Sequence, residues 1–94
     1  MVYAQEVEQA LRRHADVADA AVIGVPSPEL GQEVVAFVTT RSPITERDLI
    51  RHCRRELAPF KVPARIEVLR ELPRNSGGKV IKSELLSRMS SAPV

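Results

Sequence analysis

The chain has 94 residues, of which 44% are hydrophobic, so it can form one small domain with a modest buried core. Its single cysteine excludes an internal disulfide and is typical of a reducing compartment. The sequence contains no run of about 18 apolar residues to cross a membrane and no basic-then-apolar signal pattern, so we expect a cytoplasmic protein.

The net charge of +2 conceals an uneven distribution along the chain. Residues 1–50 contain four Lys or Arg against eight Asp or Glu, whereas residues 51–82 contain nine against three. A segment this basic predicts a polyanionic neighbour, such as a nucleotide, a phosphorylated cofactor, a nucleic acid or an acidic protein surface. An ordinary solvated surface explains the charge alone equally well.

The first half of the chain predicts one helix followed by two strands. Apolar residues at helical spacing predict a helix over residues 4–15. Apolar runs predict strands over 17–25 and 32–40, and the turn composition of 26–31 would join them as an antiparallel hairpin. Residues 34–38 are apolar throughout, so we expect them to be buried on both faces of a sheet.

The next segment predicts a helix that begins at Thr45. This residue is a good N-cap, and Asp48 follows three residues later, close to a capping box. Pro59 ends the helix. Its buried side should contain Leu49, Ile50, Cys53 and Leu57. His52 and Cys53 have no second ligand pair at a usual spacing, so no metal site is predicted.

The last part of the chain predicts a third strand and a third helix. Alternating residues over 64–72 predict a half-exposed strand, and because it follows a helix it should run parallel to a strand of the sheet. Apolar residues from Val80 to Met89 predict a short final helix, and 90–94 should form a frayed tail. The fold class is therefore α+β, a three-stranded sheet packed by about three helices in the order α-β-β-α-β-α.

A glycine-rich segment, Asn75-Ser76-Gly77-Gly78-Lys79, lies between the third strand and the final helix. Gly77 and Gly78 reach backbone angles that other residues avoid, so we expect a flexible tip that carries the Lys79 ammonium toward an anion. A phosphate-binding P-loop is excluded, because that motif needs glycine where Pro73 stands and Ser or Thr where Val80 stands. A solvated lysine at the start of a helix is the alternative that this segment alone leaves open.

Five segments, in the same order and spacing, resemble the small C-terminal domain of the adenylate-forming superfamily. That superfamily contains acyl- and aryl-CoA ligases, peptide-synthetase adenylation domains and luciferases. The resemblance extends from Val2 to about Met89, nearly the whole chain. The segments that carry it are residues 2–8, 14–26, 31–38, 57–63 and 72–80.

The resemblance implies that Lys79 is the adenylation lysine, which contacts the acid carboxylate and the nucleotide. A fixed cation lowers the repulsion when a carboxylate attacks the α-phosphate of ATP. The resemblance further implies that the small domain rotates before the acyl group passes to a thiol. The partners it implies are a carboxylic acid, CoA, ATP with Mg²⁺, and a large N-terminal domain that holds the ATP and acid sites.

Residues 1–94 would then be the mobile C-terminal domain of a ligase, without the large domain and the hinge. We expect a fragment, an excised domain or a stand-alone module that binds no cofactor and has no ligase activity alone. Cofactor-binding residues within the chain stay unassigned. The segments 60–63 and 72–74 resemble CoA ligases most, which suggests a role in fatty acid metabolism.

Three alternatives stay open. A peptide-synthetase or other carrier-protein-linked enzyme has the same domain, although such enzymes more often have Asp where Ile81 stands. A nucleic-acid-binding module could use residues 51–82, but the chain has only three aromatic residues for base stacking and no known binding motif, so we expect no nucleic acid. A non-catalytic module that docks on a separate large domain is the third alternative.

Overall fold

The computed structural model describes residues 3–27 and 31–90. Within these ranges the helices and strands follow the order predicted from the sequence, and the small α+β fold is confirmed. The α-helices are α1 (Ala4–Arg12), α2 (Glu46–Glu56) and α3 (Lys82–Ser90). The strands are β1 (Val17–Ser27), β2 (Gly31–Thr40) and β3 (Arg65–Val68). A short 3-10 helix, Pro59–Lys61, connects α2 to β3.

The sheet has the strand order β1-β2-β3, so β2 is its central strand. β1 runs antiparallel to β2, with Ala21 opposite Phe37. β3 runs parallel to β2, with Val38 opposite Val68. Two consecutive strands can run in parallel only when the chain crosses over between them, usually through a helix, and here α2 makes that crossover. Both predicted strand directions are confirmed.

Side chains of the strands alternate between two hydrophobic clusters on opposite faces of the sheet. The cluster beneath α1 and α2 takes alternate strand residues, which are Ala20, Val22, Ala36, Val38 and Ile66. The other cluster lies beneath α3 and contains Ala21, Ile23, Val35, Phe37, Leu72 and Leu85. The central strand is therefore buried on both faces from Val35 to Val38, as predicted, whereas Val34, which the prediction also included, is only partly buried.

Several element boundaries differ from the prediction for local reasons. α1 ends at Arg12 rather than at residue 15, because His14 N–H already donates to Leu11 O in a tight turn at 3.0 Å. β3 ends at Val68 rather than at residue 72, and Leu69 N–H makes a last bond to the sheet, to Val38 O at 2.8 Å. α3 begins at Lys82 because Val80 pairs with the preceding segment instead. The predicted tail lies largely outside the described residues.

The predicted start of α2 is confirmed. Thr45 has an extended backbone, and its side-chain oxygen accepts a hydrogen bond from Asp48 N–H at 3.2 Å. Cys53 lies fully buried in the cluster beneath α1 and α2. Burial, with a smaller contribution from Glu56, raises the pKa of its thiol to about 11, so the reactive thiolate is rare near neutral pH. Cys53 is a core residue and has no features of a nucleophile.

The two phenylalanines of the chain provide a matched test of this core. Phe37 has no solvent exposure, whereas Phe60 is 70% exposed and meets Tyr3 edge-on at 5.7 Å between ring centroids. We expect Phe37→Ala to lower the free energy of unfolding by about 3–5 kcal/mol, because it leaves a cavity between β2 and α3. Phe60→Ala should cost about 1 kcal/mol or less. Urea denaturation of both variants measures the difference, and equal losses would contradict the assigned core.

Candidate functional site: the lysine loop

Residues 73–81, the lysine loop, form a small hairpin between β3 and α3. Arg74 and Val80 form an isolated antiparallel bridge. Ile81 N–H donates to Pro73 O at 2.9 Å on one side of this bridge, and Asn75 N–H donates to Lys79 O at 3.0 Å on the other. The loop therefore has two short stems joined by a turn at its tip.

Asn75 organises the tip of the loop. Its side-chain oxygen accepts hydrogen bonds from Gly77 N–H at 2.9 Å and from Lys79 N–H at 3.1 Å. Its carbonyl oxygen accepts from Gly78 N–H at 2.9 Å. Both backbone polar groups of Lys79 are thus bonded to Asn75. The sequence prediction missed this role of Asn75, although an asparagine close to glycines is a turn signal that could have indicated it.

The two glycines have different roles in the turn. Gly78 has a φ of +84°, a conformation that side chains disfavour, and a Cβ placed there would meet nothing within 4 Å. Its backbone angle, not lack of space, therefore requires glycine. A Cβ at Gly77 would lie 3.4 Å from the side-chain oxygen of Asn75. The predicted flexibility of Gly77 and Gly78 stays a prediction, but the loop has a well-defined hydrogen-bonded geometry.

Lys79 is exposed at the tip of this hairpin. Within residues 3–27 and 31–90, no carboxylate lies within ion-pair distance of its ammonium. Three other cations of the basic segment are paired. Lys61 contacts Glu6 at 2.9 Å, Lys82 contacts Glu8 at 2.8 Å, and Arg74 contacts Asp19. The loop therefore presents a single uncommitted ammonium on an ordered backbone.

Two carboxylates on α1 and β1 hold the stems of the lysine loop. The Arg74 guanidinium bonds Gly78 O at 2.6 Å with one nitrogen and Asp19 with another. Glu8 is nearly buried, and its carboxylate accepts hydrogen bonds from Val22 N–H and from Lys82, each at 2.8 Å. The sequence did not point to these contacts, because neither acid is near the loop along the chain.

A second basic surface lies between α2 and the start of β3. It is an open groove of about 670 Å³ that also includes Glu46, Ile50 and the segment 62–64. Its exposed guanidinium groups belong to Arg47, Arg51, Arg54 and Arg65. No ion pair holds these four side chains within the described part of the chain. The groove is a second place at which an anion could bind.

The histidines make structural contacts. The rings of His14 and His52 meet edge-on at 5.0 Å. His14 Nδ1 accepts from Asp16 N–H at 3.1 Å, and His52 Nε2 lies 2.7 Å from Ala10 O. Among residues 3–27 and 31–90, no three His, Cys, Asp or Glu side chains come together as a metal site. In the same ranges, none of the helices has the length and apolar character that a membrane span requires.

The fold and the site together define a small α+β domain that carries a free lysine on a glycine-containing hairpin. Residues 6–79 match the family described as the AMP-binding enzyme C-terminal domain. The chain belongs to this family, as its sequence resemblance implied.

Curated relatives of the chain include CoA ligases. It is 40% identical over 85 residues to a long-chain-fatty-acid–CoA ligase of Escherichia coli O157:H7, a match that covers 89% of this chain and 15% of the ligase. It is 44% identical over 85 residues to a sulfoacetate–CoA ligase of Cupriavidus necator, covering 88% of this chain and 17% of that protein. The chain thus spans about a sixth of the length of these relatives.

A solved structure shares the fold closely. The ATP-bound MatB from Rhodopseudomonas palustris superimposes with a TM-score of 0.89 at 33% identity. The match covers 96% of this chain and 18% of MatB. The domain described here is therefore similar to one part of a much larger protein.

The hydrogen bonds of Asn75 predict the effect of removing its side chain. We expect Asn75→Ala to speed amide hydrogen exchange at Gly77 and Lys79, because both N–H groups lose their acceptor. Asn75→Asp keeps an oxygen in the same place and should preserve the protection. Exchange measured by NMR separates the variants, with the amides of residues 35–38 as an internal reference. Unchanged exchange in Asn75→Ala would mean that the turn does not depend on this side chain.

Proposed function

We propose that this chain is the C-terminal domain of an ATP-dependent carboxylate–CoA ligase and that Lys79 acts in its adenylation step. The observation that carries the proposal is the unpaired ammonium at the tip of the lysine loop. Family membership and similarity to CoA ligases support it. The ATP in the related MatB structure supports the choice of nucleotide.

The charge of Lys79 suits the chemistry of acid activation. A carboxylate oxygen forms a bond to the α-phosphorus of ATP while the bond from that phosphorus to pyrophosphate breaks. Both reactants are anions, so a cation placed between them lowers their repulsion and stabilises charge on the phosphoryl oxygens. Within residues 3–27 and 31–90 no carboxylate competes for the ammonium. We therefore assign Lys79 to contact the acid and the nucleotide.

The remaining parts of the reaction belong outside this domain. We propose a large N-terminal domain that holds the ATP and the acid, since the chain matches about a sixth of its relatives. The described residues lack a carboxylate cluster suited to Mg²⁺, so any catalytic Mg²⁺ would be held by that domain and the nucleotide. The small domain would then rotate so that the acyl group can pass from AMP to a thiol.

We propose a specific thiol acceptor but leave the carboxylic acid substrate open. We favour CoA over a carrier protein, because the relatives described above are CoA ligases. The acids named for these two relatives, a long-chain fatty acid and sulfoacetate, are very different. Fatty acid metabolism is therefore one option among several. We also propose a cytoplasmic location, consistent with the buried, reduced Cys53.

Nucleic-acid binding has one observation in its favour, the four arginines of the groove beside α2. Arginine alone gives electrostatic attraction, whereas single-stranded recognition also uses aromatic stacking. Tyr3 and Phe60, the two exposed or half-exposed aromatic residues, are engaged with each other and with Lys61. Retention of the domain on RNA with a steep salt dependence would favour this alternative.

Lys79→Ala tests the proposed role through the two half-reactions. In the complete ligase we expect adenylate formation to fall by about two orders of magnitude or more, the scale of losing one preorganised electrostatic contact. Thioester formation from supplied acyl-adenylate and CoA should change little, because no carboxylate attacks a phosphate in that step. Pyrophosphate exchange measures the first step, and direct thioester formation measures the second.

Lys61→Ala is the matched control. It removes an equal charge from the same basic segment, but Lys61 is paired with Glu6 and lies outside the lysine loop. It should leave both half-reactions nearly intact. If Lys79→Ala slowed the two steps equally, Lys79 would be a folding residue, not an adenylation residue.

The isolated 94-residue chain should fold without catalysing acid activation. It offers one uncommitted lysine in its glycine-containing loop, and we assign the ATP and acid sites to another domain. An acyl-hydroxamate assay with ATP, Mg²⁺ and a panel of carboxylic acids measures any adenylate that forms. Activity above the blank that disappears in Lys79→Ala would show that this chain is a complete enzyme.

A further inference from the structure

We propose that Asp19 and Glu8 are positioning residues for adenylation, because they hold the two stems that aim the Lys79 ammonium. This inference rests on the proposed function of Lys79. Neither acid is expected to touch a substrate. Each acts through a cation of the loop region, Arg74 for Asp19 and Lys82 for Glu8.

The tip of the loop has no polar contact of its own with the body of the domain. Within the described part of the chain, every hydrogen bond of residues 75–79 has its partner inside the loop. The hydrogen bonds of the tip therefore hold it together as a unit, and the stems set its direction. One stem carries Arg74, and Lys82 follows the other stem directly as the first residue of α3.

Arg74 connects the tip to β1 through a single side chain. One guanidinium nitrogen donates to Gly78 O at 2.6 Å, next to Lys79, and another pairs with Asp19. Asp19 is itself fixed, since its other oxygen accepts from Ala20 N–H at 2.8 Å and from Arg12 at 3.3 Å. A guanidinium fork can satisfy two acceptors at once in a defined plane, which a lysine ammonium does less well.

Glu8 provides the second attachment. Its carboxylate is nearly buried and accepts from Val22 N–H and from Lys82, each at 2.8 Å. The acid is thereby attached to the backbone of β1, and the start of α3 is attached to the acid. Val80 also packs against the cluster beneath α3, so polar and apolar contacts on the two stems together fix the direction of the loop.

Because Arg74 and Asp19 are partly exposed, their effect on the position of Lys79 can be separated from their effect on the stability of the domain. Arg74 is 42% exposed and Asp19 is 24% exposed, and ion pairs near the surface add little to the stability of a fold. A shift of about 1 Å in a reacting group, by contrast, can slow a reaction by up to about 100-fold. Loss of the Asp19 charge should therefore affect the rate of adenylation far more than the stability of the domain.

The test uses the complete ligase that carries this domain. Asp19→Asn keeps a side-chain oxygen but places an amide against Arg74, and Arg74→Lys keeps the charge but loses the fork. Glu6→Gln is the matched control, because Glu6 pairs with Lys61 at 2.9 Å away from the loop. Pyrophosphate exchange, thioester formation from supplied acyl-adenylate, and thermal melting are measured for each variant, alone and combined with Lys79→Ala.

We expect Asp19→Asn and Arg74→Lys each to lower the rate of adenylation about tenfold. Thioester formation should stay within about twofold, and the melting temperature within about 4 °C. In the Lys79→Ala background neither change should slow adenylation further, because both act only through Lys79. Glu8→Gln should follow the same pattern with a larger loss of melting temperature, since its carboxylate is nearly buried.

Two results would overturn the inference while leaving Lys79 its role. One is a normal adenylation rate in Asp19→Asn when Lys79→Ala is severely impaired. The other is a loss in Asp19→Asn that affects both half-reactions equally or adds fully to that of Lys79→Ala, as a general structural defect would. A Lys79→Ala enzyme with normal adenylation would instead contradict the proposed function itself, so the two failures are distinguishable.

Discussion

The outer edge of β1 is the constraint on which the rest of the structure depends. β2 pairs with one side of β1, and exposed strand edges leave unpaired backbone groups that folded proteins must protect. Here side chains of α1 and of β1 itself protect them. Arg12 donates to Ala20 O at 2.9 Å, Glu8 accepts from Val22 N–H at 2.8 Å, and Asp19 accepts from Ala20 N–H at 2.8 Å. Because two of these groups are carboxylates, the protected edge also attracts cations from the lysine loop and α3.

Ion pairs within the domain explain much of the uneven charge along the chain. Acids of the first half pair with bases of the second half across the fold, as Glu6 does with Lys61 and Glu8 with Lys82. The excess of positive charge therefore does not all face a ligand. The described cations without an ion-pair partner include Lys79 and the arginines of the groove beside α2. These are the positions at which the basic character of the segment remains available to an anion.

The lysine loop combines an ordered backbone with a long, free side chain. The hydrogen bond from Lys79 N–H to Asn75 and the φ of +84° at Gly78 define the shape of the turn. The ammonium itself has no competing carboxylate among the described residues and can follow an anion through its four-carbon side chain. This arrangement suits the role in adenylation that we propose for Lys79.

The sequence by itself determined the order of the elements, the parallel direction of β3, the Thr45 cap, the burial of residues 35–38 and the family. Hydrophobic periodicity, capping and turn signals are properties of short segments, so they can be recognised without knowing how the segments pack. Only the tertiary structure decided where α1, β3 and α3 end and begin, and which acids hold the lysine loop. Those contacts join residues far apart in the chain, such as Asp19 and Arg74, and their formation depends on how α1, the sheet and α3 pack together.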